Sequence, residues 1–189
     1  MTNIVISGVG GQGSILASRI LFALYEARGD MVKVSEVHGM SQRGGSVITT
    51  VRAGKTVYSP LIPDGEGDIL IALEQIEALR YLNQLKPGGT VISSIQKIPP
   101  MPVLTGAAVY PDNVFDEIRG AGFKLITIDA LTLAKQAGNS KAANVVVLGA
   151  ASAALGGTDA EWDAALSAAV KPQFLDLNRR AFELGKTVI

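Results

Sequence analysis

The stretch that decides the fold is Asn3-Ile4-Val5-Ile6-Ser7-Gly8-Val9-Gly10-Gly11-Gln12-Gly13-Ser14. Residues 3–7 are short and almost wholly apolar, the pattern of a strand buried on both faces of a parallel sheet. The run breaks at Gly8, Gly10 and Gly13, spaced G-x-G-x-x-G. Residues 14–28 then place apolar side chains at Ile15, Ala17, Leu21 and Leu24, a helical period, with Gly29 positioned to end the helix. Strand, glycine turn and helix make the opening unit of an α/β fold.

The alternation continues outward. Residues 31–37 read as a second strand, followed by a second glycine-rich segment, His38-Gly39-Met40-Ser41-Gln42-Arg43-Gly44-Gly45. Residues 46–53 and 55–59 flank Gly54 and read as a β-hairpin. Residues 68–73 and 90–94 are further buried strands, separated by a helix over 74–85 and a Lys86-Pro87-Gly88-Gly89 stop. A proline-rich connection spans 98–106. A helix over 111–120, a strand over 123–128 and helices over 130–136 and 142–155 come next. Thr158-Asp159-Ala160-Glu161 has the form of a capping box, Pro172 suits the first turn of a last helix, and Gly185 suits its end. The expectation is an α/β, Rossmann-like three-layer fold: a mostly parallel sheet, a β-hairpin insertion and a helical C-terminal third, one domain over 1–189.

Composition narrows the chemistry. Lys+Arg and Asp+Glu are 17 each over 189 residues, which removes the basic footprint of a nucleic-acid binder. Zero cysteines exclude disulfides, thiolate zinc, a cysteine nucleophile and an iron–sulfur cluster held by this chain. The start, Met1-Thr2-Asn3, has no basic leader, and the greasiest stretch, 142–157, is interrupted by Asn144 and Ser152 and is too short to span a bilayer. A cytoplasmic protein that engages neither membrane nor nucleic acid is expected.

Two readings stand for the first glycine turn. Close backbone approach and free N–H groups at a helix start suit a phosphate, with Glu36 at the end of the second strand placed for a dinucleotide ribose. The alternative is a tight turn with no ligand. A second glycine loop beside it, with Ser41, Gln42, Arg43, Gly44 and Gly45, points to another phosphate-bearing ligand or a partner surface rather than to a nicotinamide cofactor. Its plain alternative is a hairpin connection with a surface arginine. His38, the single imidazole, lacks a nucleophile partner in a local motif, so a positioning or interface role competes with catalysis. Asp64, Glu66, Asp68, Glu74 and Glu77 read as turn formers and helix-dipole partners before they read as a magnesium site.

The residues Gly8-Val9-Gly10-Gly11-Gln12-Gly13 and Ser35-Glu36-Val37-His38-Gly39-Met40-Ser41-Gln42-Arg43-Gly44-Gly45-Ser46-Val47 resemble the gamma-type domain of the 2-oxoacid (pyruvate/ketoisovalerate):ferredoxin oxidoreductases. Tyr58-Ser59-Pro60, Glu77-Ala78-Leu79-Arg80-Tyr81, Pro87-Gly88-Gly89 and Asn144-Val145-Val146-Val147-Leu148-Gly149-Ala150 extend the likeness, which within the family is nearest to the small (beta) subunit of the indolepyruvate branch. The resemblance implies a complex that oxidatively decarboxylates an arylpyruvate to an acyl-CoA and delivers electrons to ferredoxin. Thiamine diphosphate, Mg²⁺ and 4Fe-4S clusters would sit on a large (alpha) partner subunit, this chain holding no cofactor alone. Coenzyme A, as co-substrate, would meet Gly8, Gly10, Gly11, Gln12 and Gly13 and the Ser41–Gly45 loop. The rivals are a free-standing NAD(P)-binding oxidoreductase and a non-catalytic assembly subunit.

Overall fold

The computed structural model describes residues 1–38 and 44–188, with the main chain alone at His38. Its strands are β1 (Thr2–Val9), β2 (Met31–His38), β3 (Ser46–Gly54), β4 (Gly67–Ala72), β5 (Leu85–Ser94) and β6 (Lys124–Ile128). They form one six-stranded sheet in the order β2-β3-β1-β4-β5-β6. The β1–β4, β4–β5 and β5–β6 pairs are parallel. β3 lies antiparallel between β1 and β2. Ile4, Val5 and Ile6 have no exposed surface, as an apolar run in a doubly covered strand requires.

The helices are α1 (Ser14–Ala27), α2 (Gln75–Arg80), α3 (Met101–Leu104), α4 (Val114–Gly120), α5 (Ala130–Ala137), α6 (Ala143–Leu155), α7 (Asp159–Ala169) and α8 (Leu175–Lys186). One face of the sheet buries Ile4, Ile6, Ile69, Ile71 and Ile92 under α1, α5, α6, α7 and α8. The other buries Val5, Leu70 and Val91 under Ala78 of α2 and Val114 and Ile118 of α4. Gly29, at φ 78°, closes α1, and the Thr158–Glu161 capping box opens α7 with both reciprocal bonds formed. Among the described residues no helix is long and apolar enough to cross a membrane.

Five local expectations are corrected, the last of them at Gly185. The hairpin pairs β3 with β2, not with residues 55–59. That later segment instead doubles back along β3: Thr50 Oγ1 donates to Pro60 O at 2.8 Å, and Arg52 Nη1 donates to Leu61 O at 2.7 Å. The expected helix over 74–85 stops at Arg80, and a single 3₁₀ turn, Leu82–Gln84, follows. Residues 86–89 are not a break before a strand but an irregular first half of β5, where the register with β4 shifts between Gly67 and Ile69. Pro172 opens a separate 3₁₀ turn, Pro172–Phe174, ahead of α8.

Gly185 does not end the last helix. It lies inside α8, opposite Gly149 of α6. A Cβ on Gly149 would stand 2.1 Å from Phe182 O, and one on Gly185 would stand 2.1 Å from Val146 O. The two helices touch backbone to backbone, which only glycine permits at both positions.

Candidate functional site

The site lies at the carboxyl edge of the parallel strands, where open α/β sheets receive ligands. The Gly10–Gly13 loop divides two clefts there. The inner cleft, about 340 Å³, lies between that loop, the ends of β4 and β5 at Leu73 and Ser94, and Lys141 to Asn144 leading into α6. The outer cleft, about 450 Å³, lies between the same loop, Glu36 of β2 and Val47 of β3.

The expected cradle of amides is partly spent inside the protein. Gly10 N–H donates to Gly45 O at 2.8 Å, and Gln12 N–H donates to Val9 O at 3.1 Å. Among the described residues nothing accepts from the N–H groups of Gly11 and Gly13, which border both clefts. The Gln12 side chain braces the turn: Oε1 accepts from Val9 N at 2.7 Å and Nε2 donates to Leu73 O at 2.9 Å. Gly8 serves packing, since a Cβ there would come 3.1 Å from Leu73 Cβ.

Two helix N-termini open on the inner cleft: that of α1 has no local compensation, while α6 continues from a 3₁₀ turn, Ser140–Ala142, which Asn139 caps by accepting from Lys141 N at 3.0 Å. α1 starts after Gly13 and α6 after Ala142, and neither has a side-chain cap or an acidic residue in its first turn. α5 differs: Asp129 caps it by accepting from Thr132 N at 3.1 Å. The uncapped start of α1 and the positive ends of both helices favour an anion between them. Lys141 adds a full charge at the same edge.

Asn144 ties these parts together. It is 3% exposed, and its Nδ2 donates to Gly13 O at 2.9 Å. A Cβ on Gly13, whose φ is 89°, would sit 2.5 Å from that Nδ2, so the loop requires glycine there twice over. Asn144 Oδ1 is buried with no partner among the described residues. A buried orphan acceptor in a cleft wall calls for a donor from outside the chain.

The second glycine segment does reach the first, by a route the sequence does not reveal. The hairpin returns to β1 through β3, with Ser46 opposite Val9, while His38 of β2 lies one strand further out, opposite Val47. Ser46 is moored from below: its Oγ donates to Glu77 Oε2 and lies 3.0 Å from Tyr81 Oη. Glu77 is 3% exposed and also accepts from Arg80 Nε at 3.1 Å. Gly44 has φ 77° and open space around it. Ser41, Gln42 and Arg43 lie outside the described residues, as does the His38 side chain.

β3 also alters the dinucleotide reading. With one strand inserted, β2 lies about 10 Å from β1, twice the ordinary strand spacing of about 4.8 Å. Glu36 therefore faces the outer cleft from the sheet edge, not from the strand next to the glycine turn. Of the candidate magnesium carboxylates, Asp68 accepts from Asn3 N at 2.7 Å and Glu74 caps α2 by accepting from Glu77 N at 3.0 Å. Ser94, Gln96, Lys141 and Asn144 escaped sequence reasoning as site residues, because nothing local connects them to residues 10–13. The Asn144–Ala150 likeness to known proteins was the one signal that pointed there.

The model for the family described as pyruvate ferredoxin/flavodoxin oxidoreductase matches residues 3–188. The chain is 44% identical to the indolepyruvate oxidoreductase subunit IorB of Thermococcus kodakarensis, over 97% of this chain and 93% of that protein. The crystal structure of a keto/oxoacid ferredoxin oxidoreductase gamma subunit from Geobacter sulfurreducens is 27% identical, with a TM-score of 0.72 over 100% of this chain and 98% of that one. The 2-oxoglutarate:ferredoxin oxidoreductase of Magnetococcus marinus, solved with 2-oxoglutarate, coenzyme A and succinyl-CoA bound, shares the fold at a TM-score of 0.75 and 21% identity, over 99% of this chain and 30% of that one.

Proposed function

Because the chain belongs to the pyruvate ferredoxin/flavodoxin oxidoreductase family, and is within it a small subunit of the indolepyruvate oxidoreductase type, we propose that it forms the coenzyme A-binding wall of a cytoplasmic complex that converts an arylpyruvate to an acyl-CoA. The observation that carries this reading is the inner cleft. The uncapped N-terminus of α1, the start of α6, the Gly11 and Gly13 amides, Lys141 and the orphan Oδ1 of Asn144 meet there. The amides and Lys141 suit a pyrophosphate, and Asn144 Oδ1 suits an N–H or O–H donor on the same ligand. An anion at one helix start gains roughly 0.3–2 kcal/mol, so two of them supply at most about 4 kcal/mol, about half of what micromolar binding needs, and Lys141 and the loop amides must supply the rest.

Electron transfer and decarboxylation are assigned to a large partner subunit. With zero cysteines the chain has no thiolate to ligate an iron–sulfur cluster, and no described cluster of His, Cys, Asp and Glu is built for a metal. Thiamine diphosphate with its Mg²⁺ would supply the carbanion chemistry there, and clusters would pass electrons on to ferredoxin. Ser41, Gln42 and Arg43, which lie outside the described residues, would with Gly44 and Gly45 close around phosphate or pantetheine.

The test is anaerobic purification of the tagged chain with its partner, followed by arylpyruvate-dependent viologen reduction at varied coenzyme A. A brown, thiamine-containing complex is expected. Lys141→Gln and Arg43→Ala should each raise the coenzyme A KM about tenfold, close to 1.4 kcal/mol, with kcat changed much less. An unchanged KM in both variants overturns the coenzyme A assignment. A colourless chain that binds NADH instead overturns the oxidoreductase complex.

A further inference from the structure

A separate cavity of about 330 Å³ lies between α1, the Asn139–Ala142 turn and the start of α8. Leu16, Ala142, Val170 and Leu177 make its apolar lining, and Phe174, 46% exposed, stands at its edge. Three cations also border it, Arg19, Lys141 and Lys171, and no acidic residue does. Among the described residues none of the three has an ion-pair partner. Arg28, Arg80, Lys86, Lys97, Arg119, Arg179 and Lys186 each meet a carboxylate, whereas among the described residues Lys33, Arg52, Lys55, Lys124, Lys135 and Arg180 do not, so what sets the three apart is that they border one apolar cavity with no acid beside it. The chain as a whole has equal numbers of positive and negative side chains.

Arg19, Lys141 and Lys171 are exposed, so water screens them from one another, and it is their common border on an apolar hollow that favours an anion there. The apolar floor selects what the anion must carry, and the volume falls at the small end of ligand pockets. We infer that this pocket binds a small amphipathic anion: a flat apolar or aromatic body bearing a carboxylate or a phosphate. The body rests on Leu16, Val170 and Leu177 beside the Phe174 ring, and the acidic group lies among Arg19, Lys141 and Lys171. Two sources carry that chemistry. One is a free aryl acid. The other is the nucleotide end of a phosphorylated carrier seated in the inner cleft, because Lys141 borders both cavities. Only this second source rests on the coenzyme A reading.

The experiment is a fluorescence titration of the full chain with 8-anilino-1-naphthalenesulfonate, an aromatic body bearing one sulfonate. Arg19→Gln and Lys171→Gln should each weaken the probe about threefold to fivefold, and together at least tenfold. Lys124→Gln, which removes an unpaired cation from β6 and not from this pocket, should leave the affinity within twofold. Displacement by indole-3-acetate marks a free aryl acid, and displacement by adenosine 3′,5′-bisphosphate marks a nucleotide end. Equal affinity in the double variant, or displacement by neither compound, overturns the inference. Neither substitution touches the Gly11–Asn144 cleft, so the result is independent of the coenzyme A KM measured in the complex.

Discussion

The two faces of the sheet solve the same problem with different materials. Under α1 and α5 to α8, burial is aliphatic and deep, and at Gly149 and Gly185 even the side chains are gone, so that backbones meet. Under α2 and α4 the apolar cluster is small, and fully buried polar groups join it: Glu74, with no exposed surface, and Ser7 and Ser93 on the strands. The thick face depends on shape, the thin face on completed hydrogen bonds. Shape fails when volume is added, whereas a polar mooring fails when one partner is removed.

Gly149→Ala is the strongest test of the first half of that contrast. Its new methyl would meet Phe182 O at 2.1 Å, so α6 and α8 must separate. The expected loss is about 3 kcal/mol, at the upper end for overpacking, well beyond the roughly 1 kcal/mol that alanine gains over glycine in a helix. Urea unfolding at neutral pH measures it. A variant as stable as the parent would show that the thick face yields where the thin one does not.

Glu74→Ala tests the other half. Its Oε1 accepts from Tyr110 Oη at 2.5 Å and from Ile98 N at 3.0 Å, while Oε2 accepts from Glu77 N. Removing the carboxylate strands donors in a buried place and should cost about 2 kcal/mol. The same bond, after burial, holds the Tyr110 phenol above its ordinary range. Glu74→Gln should therefore let Tyr110 ionise at lower pH, read by absorbance at alkaline pH, with burial still keeping it above a free tyrosine. No change in that titration would mean that Glu74 does not moor the segment leading to α4.

The smallest effect concerns a surface bond on the thick side. Glu161, accepting first from Thr158 N and then from Arg28, has its carboxyl held down to about 2. A lowered folded value favours the native state above the unfolded value, near 4.5, and that advantage is lost as pH falls from there through about 2. Because the group is exposed, salt should weaken the effect. In Glu161→Gln the urea midpoint should drop less between pH 5 and pH 3 than in the parent. Equal drops in both proteins would place the acid sensitivity elsewhere.

How legible was this molecule in its sequence? Several local rules held, although the stop expected at residues 86–89 and the place of Pro172 did not. The apolar run at 3–7, the closing glycine at Gly29 and the capping box at Thr158 all formed as their chemistry dictates. Errors came where distant parts compete. Gly185 looks like a helix terminator, yet it is glycine because Val146 O occupies the place of its side chain. β3 alternates equally well for either hairpin, and the choice of β2 rests on β1 pairing its other edge. The site behaves likewise. Gly11 and Gly13 announce themselves, but Lys141 and Asn144 reach the cleft only because α6 starts beside α1. Spacing also credits Gly10 and Gln12 with free amides that the folded loop has already engaged.

That engagement at Gly10 reaches beyond the loop itself. The bond from Gly10 N to Gly45 O joins the first glycine segment to the return of the second, across residues that are neighbours in space and not in sequence. A ligand that settles on Gly11 and Gly13 thereby grips the end of the hairpin as well. If a protein surface that holds the hairpin from outside changed affinity in the cleft, linkage would require the ligand to change that surface's affinity by the same factor. Assembly and ligand binding would then share a single thermodynamic cycle, with the 2.8 Å bond from Gly10 to Gly45 as the link between its two halves.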